Sequence, residues 1–412
     1  MELAILKGNV YYKDRFIKAD IGIEEGKIVK IKEKSGYDSD NVLDAKGKYV
    51  MPGIIDAHVH LRDLSQSYKE TFITGAKAAA HGGVTTVINM PNTKPPATTL
   101  NVILELTDLA KKACVNVGLF GGVENKRLED DNNVKNNFDE IIKFQDFVRG
   151  CKVYMDSDDF LGDNLNEILN FFSESVKNQK LREIKTIAVH AEDSGLVKKL
   201  GRDNKKCEIE AVKFISELTP KFSLPMHVCH VSTPEALEII KDSDLTCEVT
   251  PHHLFLSKGD FEYDAVNPPL RTKQDRLKLW ENLNNIDIIA TDHAPHTIEE
   301  KEKGVSGFPG LETSLPLMLD SVNKKRLTIN RLIEMMSEKP AEIFGLKNKG
   351  KIEIGFDADL TIIDLKKEMK IRGDDFCSKQ KWTPFEGWKV KGVPTHTIVN
   401  GKIVMEDGEL IC

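Results

Sequence analysis

Most histidines in this chain lie at the ends of short apolar runs. Of the 11 histidines in 412 residues, eight lie in such a run or within a few residues of its end: His58, His60, His190, His230, His252, His253, His293 and His296. Imidazole ligates divalent metals and transfers protons near neutral pH. If the runs are parallel strands of a barrel, catalytic groups gather where their C-terminal ends meet. The distribution therefore predicts one catalytic or metal-binding centre.

The segment DAHVHLRD is the densest of these clusters. Side chains two residues apart share one face of a strand, so His58, His60 and Arg62 should point the same way. Two imidazoles on one face suit a divalent ion. A hydrogen-bonded pair of histidines at a strand end has the same spacing, and the segment alone leaves both interpretations open.

A carboxylate follows a later run, in the segment IDIIATDHAPH. Asp292 comes directly after the apolar residues, and His296 lies four residues further on. A carboxylate there can ligate a metal and accept a proton from water, or it can cap the next helix. His190 and His230 also end apolar runs, and each alone would be structural. Together with the first cluster, they predict a site for one or two metal ions.

Two metal ions in one site lie ~3.5–4 Å apart and usually share a bridging anion. The segment GCKVYMDSDDF offers Lys152 and Asp156 for that role. A lysine carboxylated by CO2 is an anion with two oxygens, whereas an unmodified lysine is a poor ligand. The spacing leaves the choice open, with a surface lysine as the default. Residues 156–160 could equally form a mobile lid or an ordinary surface loop.

Other histidines fit the chemistry less well. His252 and His253 follow a run, but we expect them to be structural or to support the ligands. His81, His227 and His396 stand apart from the clusters.

The middle of the chain alternates short apolar runs with longer amphipathic segments. We count eight runs: 53–60, 84–90, 115–120, 148–155, 186–190, 226–231, 245–250 and 286–291. Strands that alternate with helices indicate parallel βα units, and eight of them predict a (β/α)8 barrel. A doubly wound open sheet is the alternative. A helix should begin near Pro234, because Ser232-Thr233-Pro234 provides a capping residue and a proline at the first helical position.

Both ends of the chain have a strand pattern instead. β-branched and aromatic residues alternate with turn formers in the first 50 residues and again in the last 60 or so, and Asn400-Gly401 predicts a hairpin turn. We therefore predict β structure over residues 1–50 and 351–412, on either side of a catalytic barrel over residues 51–350.

Composition narrows the class of protein. Lys and Arg number 58 against 65 Asp and Glu, a net charge of −7, so no general basic field favours nucleic acid. Seven scattered cysteines without a CxxC pair are typical of a reducing compartment. We find no apolar stretch long enough for a membrane span or a signal peptide. These features predict a soluble cytoplasmic protein.

In combination, the motifs resemble those of long-chain dihydroorotases of the amidohydrolase superfamily. They follow the family order over nearly the whole chain: MPGIIDAHVHLRD, GGVTTVINMPNT, AVHAED, CHVSTPEA, EVTPHHLFL, NPPLR, ATDHAPHT and GFPGLETSLPL. The resemblance implies an α/β fold, a metal-bearing (β/α)8 barrel with a small β-sandwich domain built from both chain ends.

The resemblance also implies roles for individual residues. His58, His60 and Asp292 would hold one zinc ion, and His190 and His230 a second. Lys152, in a G-x-K-x-Y context, resembles the carboxylated bridging lysine of hydantoinases, and Asp156 is the alternative bridge. The implied contacts to substrate come from Arg62, Asn92 and His296 at a carboxylate, and from Asn267, Ser306 and Gly307 at the ring amides.

The implied reaction is the reversible cyclisation of N-carbamoyl-L-aspartate to L-dihydroorotate in pyrimidine synthesis. In the hydrolytic direction a metal-bridging hydroxide attacks the ring amide, and Asp292 transfers the proton. Dihydropyrimidinase, hydantoinase or allantoinase activity is the alternative, and a non-catalytic scaffold is a distant one. The family also raises self-association or association with aspartate carbamoyltransferase, and the sequence decides neither.

Overall fold

The computed structural model describes residues 1–33, 39, 41–123, 131–156, 162–181 and 186–412. Its strands are β1 (Leu3–Tyr12), β2 (Arg15–Glu24), β3 (Lys27–Lys32), β4 (Val42–Asp44), β5 (Tyr49–Pro52), β6 (Ile54–Val59), β7 (Val84–Asn89), β8 (Asn116–Gly122), β9 (Gly150–Tyr154), β10 (Ile187–His190), β11 (Met226–Val228), β12 (Thr246–Val249), β13 (Ile288–Ile289), β14 (Leu360–Lys370), β15 (Lys389–Val399), β16 (Lys402–Glu406) and β17 (Glu409–Leu410).

The helices alternate with the middle strands. They are α1 (Phe72–His81), α2 (Leu100–Ala110), α3 (Asp131–Phe144), α4 (Gly162–Lys177), α5 (Ser194–Leu200), α6 (Lys206–Phe222), α7 (Pro234–Lys241), α8 (Pro251–Phe255), α9 (Lys273–Glu281), α10 (Ile298–Glu302), α11 (Ser314–Asn323), α12 (Ile329–Ile333) and α13 (Lys339–Ile343). A π-helical turn, Glu334–Glu338, joins the last two. No helix among the described residues combines the length and apolar character needed to span a bilayer.

Strands β6 to β13 form one parallel sheet in sequence order, and this sheet curves into a barrel. A parallel bridge between Val59 and His293 joins its two edges. Asp56 supports that closure, because its Oδ1 accepts from the backbone N–H groups of His58 at 3.2 Å and Thr291 at 3.1 Å. The predicted (β/α)8 barrel is confirmed, and each of the eight apolar runs overlaps one of its strands.

The remaining strands form a separate nine-stranded sheet from both ends of the chain. Strand β5 pairs antiparallel with β14 and parallel with β1, so the two ends share one sheet. Buried residues from both ends pack on it, including Ile5, Ile21, Val50 and Ile362. The composite β domain is thus present, and its limits at residues 50 and 351 stay a prediction.

Local signals place two of these elements where the sequence predicts them. Helix α7 begins at Pro234, and the Thr233 side chain accepts from the Ala236 backbone N–H. Asn400 and Gly401 form the two-residue turn between β15 and β16, both with positive φ (47° and 76°). That conformation suits the right-handed twist of the strands, and Asn-Gly tolerates it best.

Candidate active site

The residues predicted from the sequence meet in one cavity of about 320 Å3 at the C-terminal end of the barrel strands. Twelve of them line it: His58, His60, Arg62, Asn92, Asp156, His190, His230, Asn267, Asp292, His296, Ser306 and Gly307. Tyr154 and Ala294 complete the lining, and sequence reasoning missed both.

Strand ends position the histidines. His58 lies in β6, and His60 lies just beyond it on the same face, because side chains alternate along a strand. His190 is the last residue of β10, and His230 follows β11 by two residues. Asp292 follows β13 in the same way. The barrel therefore brings together residues that are more than 200 positions apart in the chain.

Three of the cavity residues have a strained backbone. Arg62, His230 and Asp292 have φ values of 58°, 39° and 49°, in the left-handed region that side chains with a Cβ disfavour. Such residues cost on the order of 1–3 kcal/mol each and cluster at functional sites, where the surrounding structure enforces them. At His230, that support includes a hydrogen bond from its backbone N–H to Glu248 Oε1, at 3.2 Å. No sequence signal marks these three positions.

We call the first group of side chains the histidine cluster: His58, His60, His190, His230 and Asp292. Asp292 Oδ1 lies 2.8 Å from His60 Nε2 and 3.3 Å from His58 Nε2. Burial would raise the pKa of Asp292, but the nearby charge of His58 and the contact with His60 lower it far below its usual range. Asp292 is therefore a carboxylate that two imidazoles face from the strand ends.

The other side of the histidine cluster is bounded by further carboxylates. His190 Nδ1 lies 3.0 Å from His230 Nε2, and His190 Nε2 lies 2.9 Å from Glu192 Oε2 and 3.5 Å from Asp156 Oδ2. Arg202 holds both acids, with its Nη2 2.9 Å from Asp156 Oδ2. Asp156 stays near enough to remain the alternative bridging residue.

The histidine cluster fits a divalent metal ion. His58, His230 and Asp292 offer ligand atoms that all lie within 4.8 Å of one another, as do Asp156, His190 and Glu192. In the described part of the chain, His230 Nδ1 is buried and has no hydrogen-bond partner. Imidazole nitrogen and carboxylate oxygen are ligands that zinc and similar ions accept. The ligand set alone does not select the metal.

Glu248 is a supporting residue that sequence reasoning missed. Its carboxylate accepts a short hydrogen bond from His58 Nδ1 and lies 3.2 Å from His227 Nε2. Burial alone would lower the pKa of His58, but Glu248 raises it to about 10. The expectation that His227 stands apart is wrong, because it contacts this carboxylate. A glutamate inside the buried strand β12 was the available signal.

Lys152 lies beneath the cavity in β9. It is fully buried, and its Nζ is 2.7 Å from Cys229 Sγ. The default expectation of a surface lysine is therefore wrong. Its role as a bridging residue stays a prediction. Of the suggested lid, only Asp156 lies within the described residues.

We call the second group the arginine cluster: Arg62, Lys69, His296 and Glu300. Arg62 Nη2 lies 2.9 Å from His296 Nε2. Burial, Arg62 and Lys69 lower the pKa of His296 to about 3, so the ring is neutral at physiological pH. Asn92 also lines the cavity, with its Oδ1 2.6 Å from His60 Nδ1. Its amide NH2 is the group left to donate to a bound molecule.

Two loops complete the cavity opposite the barrel strands. Ser306 Oγ donates to Asn267 Oδ1 at 3.1 Å. Gly307 has φ 135°, and a Cβ there would lie 2.5 Å from the Ala294 carbonyl oxygen, so only glycine fits. The buried Lys301 ammonium joins the two loops by donating to the Ala265 and Val305 carbonyls at 2.6 and 2.9 Å. Sequence reasoning missed this lysine.

His252 and His253 are buried but do not line the cavity. His253 lies 2.8 Å from Thr250 Oγ1 and 3.0 Å from the Pro268 carbonyl oxygen. These contacts connect helix α8 to the loop that carries Asn267. The contacts of His253 agree with the structural role expected for it.

Comparison with protein families supports one relationship over most of the chain. Residues 49–404 match the model of the amidohydrolase family. The dihydroorotase of Pyrococcus abyssi is 42% identical over 100% of this chain and 96% of its own length. The dihydroorotase of Pyrococcus furiosus is 40% identical over 99% and 94%, and that of Methanothermobacter thermautotrophicus 39% over 97% and 93%.

Solved structures resemble the whole chain as well. The L-hydantoinase (dihydropyrimidinase) of Arthrobacter aurescens superposes with a TM-score of 0.90 at 33% identity, covering 100% of this chain and 97% of that one. The dihydropyrimidinase of Brevibacillus agri shares the fold, with a TM-score of 0.87 at 24% identity over 100% and 96%.

Proposed function

This chain belongs to the amidohydrolase family, and from that membership we propose how its cavity works as a dihydroorotase. The enzyme interconverts N-carbamoyl-L-aspartate and L-dihydroorotate, a cyclisation with loss of water in pyrimidine synthesis. Its near full-length likeness to dihydroorotases at 39–42% identity supports the activity.

One observation carries the assignment. The cavity is lined both by a set of metal-ligand type side chains and by a buried guanidinium. A substrate that joins a hydrolysable ring amide to a free carboxylate suits both. Arg62 is the residue that separates dihydroorotate from uncharged rings, because its planar fork pairs with a carboxylate.

The histidine cluster would hold the metal. We propose zinc, with His58, His60 and Asp292 at one ion and His190 and His230 at a second. We further propose that Lys152 carries a carboxylate that bridges the ions, with Asp156 as the alternative. A bound divalent ion of this kind lowers the pKa of water towards ~7 and polarises a carbonyl oxygen.

The chain's own residues orient the substrate and move the proton. Arg62, Asn92 and His296 bind the carboxylate, and this fixes the ring amide over the histidine cluster. In hydrolysis, water adds to the amide carbon and the carbon–nitrogen bond breaks. Asp292 takes the proton from the attacking water and delivers it to the leaving ring nitrogen.

The opposite side of the cavity binds the ring. Asn267 and Ser306 carry side-chain polar groups there, and the backbone of Gly307 also lines the cavity, although its N–H donates to the Ala265 carbonyl at 3.0 Å. We assign hydrogen bonds with the ring amide groups to these residues. Their positions favour a small cyclic substrate.

A second candidate follows from the structural likeness to an L-hydantoinase. Hydantoinase, dihydropyrimidinase or allantoinase activity would use the same metal ligands. These substrates have no free carboxylate, and Arg62 would then face an uncharged ring. A non-catalytic scaffold is opposed by the histidine cluster, in which each expected ligand position is filled.

The substrate test is a set of initial hydrolysis rates for L-dihydroorotate, dihydrouracil and allantoin, with zinc and bicarbonate supplied. We expect a strong preference for dihydroorotate. Faster turnover of either uncharged ring would replace dihydroorotase by the second candidate. No turnover of any ring by protein that has bound zinc would favour the scaffold.

The bridging residue has its own test. Protein prepared in 13C-bicarbonate should show a carbamate carbon signal in NMR, and the Lys152→Ala variant should lack it. If fully active wild-type protein prepared in this way shows no carbamate signal, Lys152 is excluded as the bridging residue and Asp156 is left. Cytoplasmic location remains a proposal from the composition, and self-association and association with aspartate carbamoyltransferase remain proposals from the family resemblance.

A further inference from the structure

Lys69 and Glu300 lie behind His296, on the side away from the cavity. Lys69 is only 6% exposed, and its Nζ lies 3.1 Å from His296 Nδ1. Glu300 Oε2 lies 3.2 Å from the same nitrogen, and Glu300 Oε1 lies 2.9 Å from Lys69 Nζ. One ring nitrogen of His296 thus has both an ammonium donor and a carboxylate acceptor within reach.

Arg62 fixes the tautomer of His296 in the ligand-free cavity. A guanidinium can only donate hydrogen bonds, so His296 Nε2, 2.9 Å from Arg62 Nη2, must accept. The neutral ring then carries its single proton on Nδ1. Glu300 is the acceptor for that proton, and the Lys69 ammonium pairs with the same carboxylate.

A bound carboxylate requires the opposite tautomer. A carboxylate only accepts hydrogen bonds, so a lone pair on His296 Nε2 would repel it. For His296 to donate, the proton must be on Nε2, and Nδ1 must then accept. Lys69 is the donor that lies within hydrogen-bond distance of Nδ1.

We propose that Lys69 and Glu300 let His296 exchange tautomers when a substrate carboxylate binds, with Glu300 stabilising the free form and Lys69 the bound form. Lys69 is then a positioning residue that determines specificity for substrates with a carboxylate. This inference rests on the proposed dihydroorotase function. The proposed tautomer exchange predicts that Arg62 and His296 together bind the planar carboxylate of the substrate.

Further hydrogen bonds position this pair. Tyr68 Oη donates to Glu300 Oε1 at 2.9 Å, and Glu300 is part of the capping box at the start of helix α10. Gln380 Nε2 donates to the Lys69 backbone carbonyl at 2.9 Å. The donor and the acceptor therefore stay in place while the proton changes position on the ring.

The kinetic test is Lys69→Met, which removes the donor and keeps much of the apolar stem. We expect the KM for L-dihydroorotate to rise by roughly 10-fold or more, the range for a lost hydrogen bond to a charged group. kcat should change less than ~3-fold, and kcat/KM for dihydrouracil less than ~2-fold. The matched control is Lys349→Met, another ion-paired lysine of low exposure, which contacts Asp357 and Asp359 far from the cavity.

The spectroscopic test needs only the wild-type protein. In protein labelled with 15N-histidine, long-range NMR correlations distinguish the two tautomers, and His296→Gln identifies the signal. We expect the proton on Nδ1 without ligand and on Nε2 with orotate, a planar analogue that keeps the carboxylate. Lys69→Met should keep the Nδ1 form with orotate present.

Two results would overturn the inference. One is the same His296 tautomer with and without orotate. The other is an equal change for dihydroorotate and dihydrouracil in Lys69→Met. Failure of the proposed function is a separate result, because wild-type protein would then prefer an uncharged ring to dihydroorotate or hydrolyse no ring at all.

Discussion

The two clusters of the cavity have opposite charge requirements. In the histidine cluster, imidazole nitrogens converge on the carboxylate of Asp292, and further carboxylates lie at its edge. In the arginine cluster, the Lys69 ammonium pairs with the carboxylate of Glu300, whereas the Arg62 guanidinium lies against the His296 ring. The first arrangement is completed by a cation and the second by an anion.

This difference gives the cavity a direction. Under the proposed function, a molecule with an anionic end and an electrophilic carbonyl would enter in one productive orientation, with its charge on Arg62 and its carbonyl beside Asp292. Placing charges of fixed sign before substrate arrives avoids reorganisation during the reaction. The following variants should affect one cluster and spare the other.

Asp292→Asn should have the largest effect. It keeps the shape but removes the charge that His58 and His60 face, and with it the proposed proton carrier. We expect kcat to fall by about 10³-fold, within the range for loss of general acid–base catalysis. Steady-state rates on dihydroorotate check this, and circular dichroism shows whether the fold is kept. More than about a tenth of wild-type activity would contradict the role.

Arg62→Met should damage the other cluster selectively. Truncating one partner of a buried, hydrogen-bonded charge pair costs about 2–5 kcal/mol, so kcat/KM for dihydroorotate should fall by roughly 10²-fold or more. Dihydrouracil, which has no carboxylate, should lose less than ~3-fold. Equal losses on the two substrates would show that Arg62 does not recognise the carboxylate.

Glu248→Gln should weaken the histidine cluster without touching the substrate. The carboxylate holds His58 by Nδ1, so that Nε2 faces the cavity. Loss of such a supporting contact lowers metal affinity by roughly 10–100-fold. Zinc dissociation constants from competition with a chelating dye measure it. Arg62→Met is the control and should keep the wild-type affinity for zinc. A similar loss of zinc affinity in both variants would show that the two clusters do not act separately.

The smallest effect concerns acid stability of the arginine cluster. Burial, Arg62 and Lys69 lower the pKa of His296 to about 3, whereas an unfolded histidine titrates near ~6.5. Between these values the unfolded chain binds a proton that the folded chain does not, so His296 lowers the free energy of unfolding as pH falls.

The size of that effect is up to ~1.4 kcal/mol per pH unit. Urea unfolding of metal-free protein between pH 7 and pH 4 measures it. The free energy of unfolding of His296→Gln should fall less steeply with decreasing pH, and the difference in slope should correspond to about one bound proton. An unchanged slope would mean that His296 is protonated in the folded protein.

The sequence predicted the fold because its signals are local. Each barrel strand is a short apolar run, and caps such as Thr233 or the Asn400-Gly401 turn act over a few residues. The ligand types at strand ends could be predicted for the same reason. Parallel strands bring their C-terminal ends together, so His58 and Asp292 meet although they are far apart in the chain.

The supporting residues could not be predicted in that way. Lys69 acts on His296 only because two barrel loops meet, and it has no local motif. Glu300 lies four residues after His296 in a capping box with Thr297, a local signal that predicts the start of a helix but not a contact with the ring. Lys301 crosses between two loops, and its burial cannot be read from its neighbours in sequence. Glu248 was the exception, since a charge inside an apolar strand is itself a signal.

A crystal structure of the zinc-loaded protein with N-carbamoyl-L-aspartate or L-dihydroorotate tests the opposed clusters most directly. We expect anomalous scattering from zinc at His58, His60 and Asp292. The carboxylate that does not take part in ring closure should lie on Arg62 and His296. A structure with that carboxylate on the histidine cluster, or with Arg62 turned away from the substrate, would contradict the account.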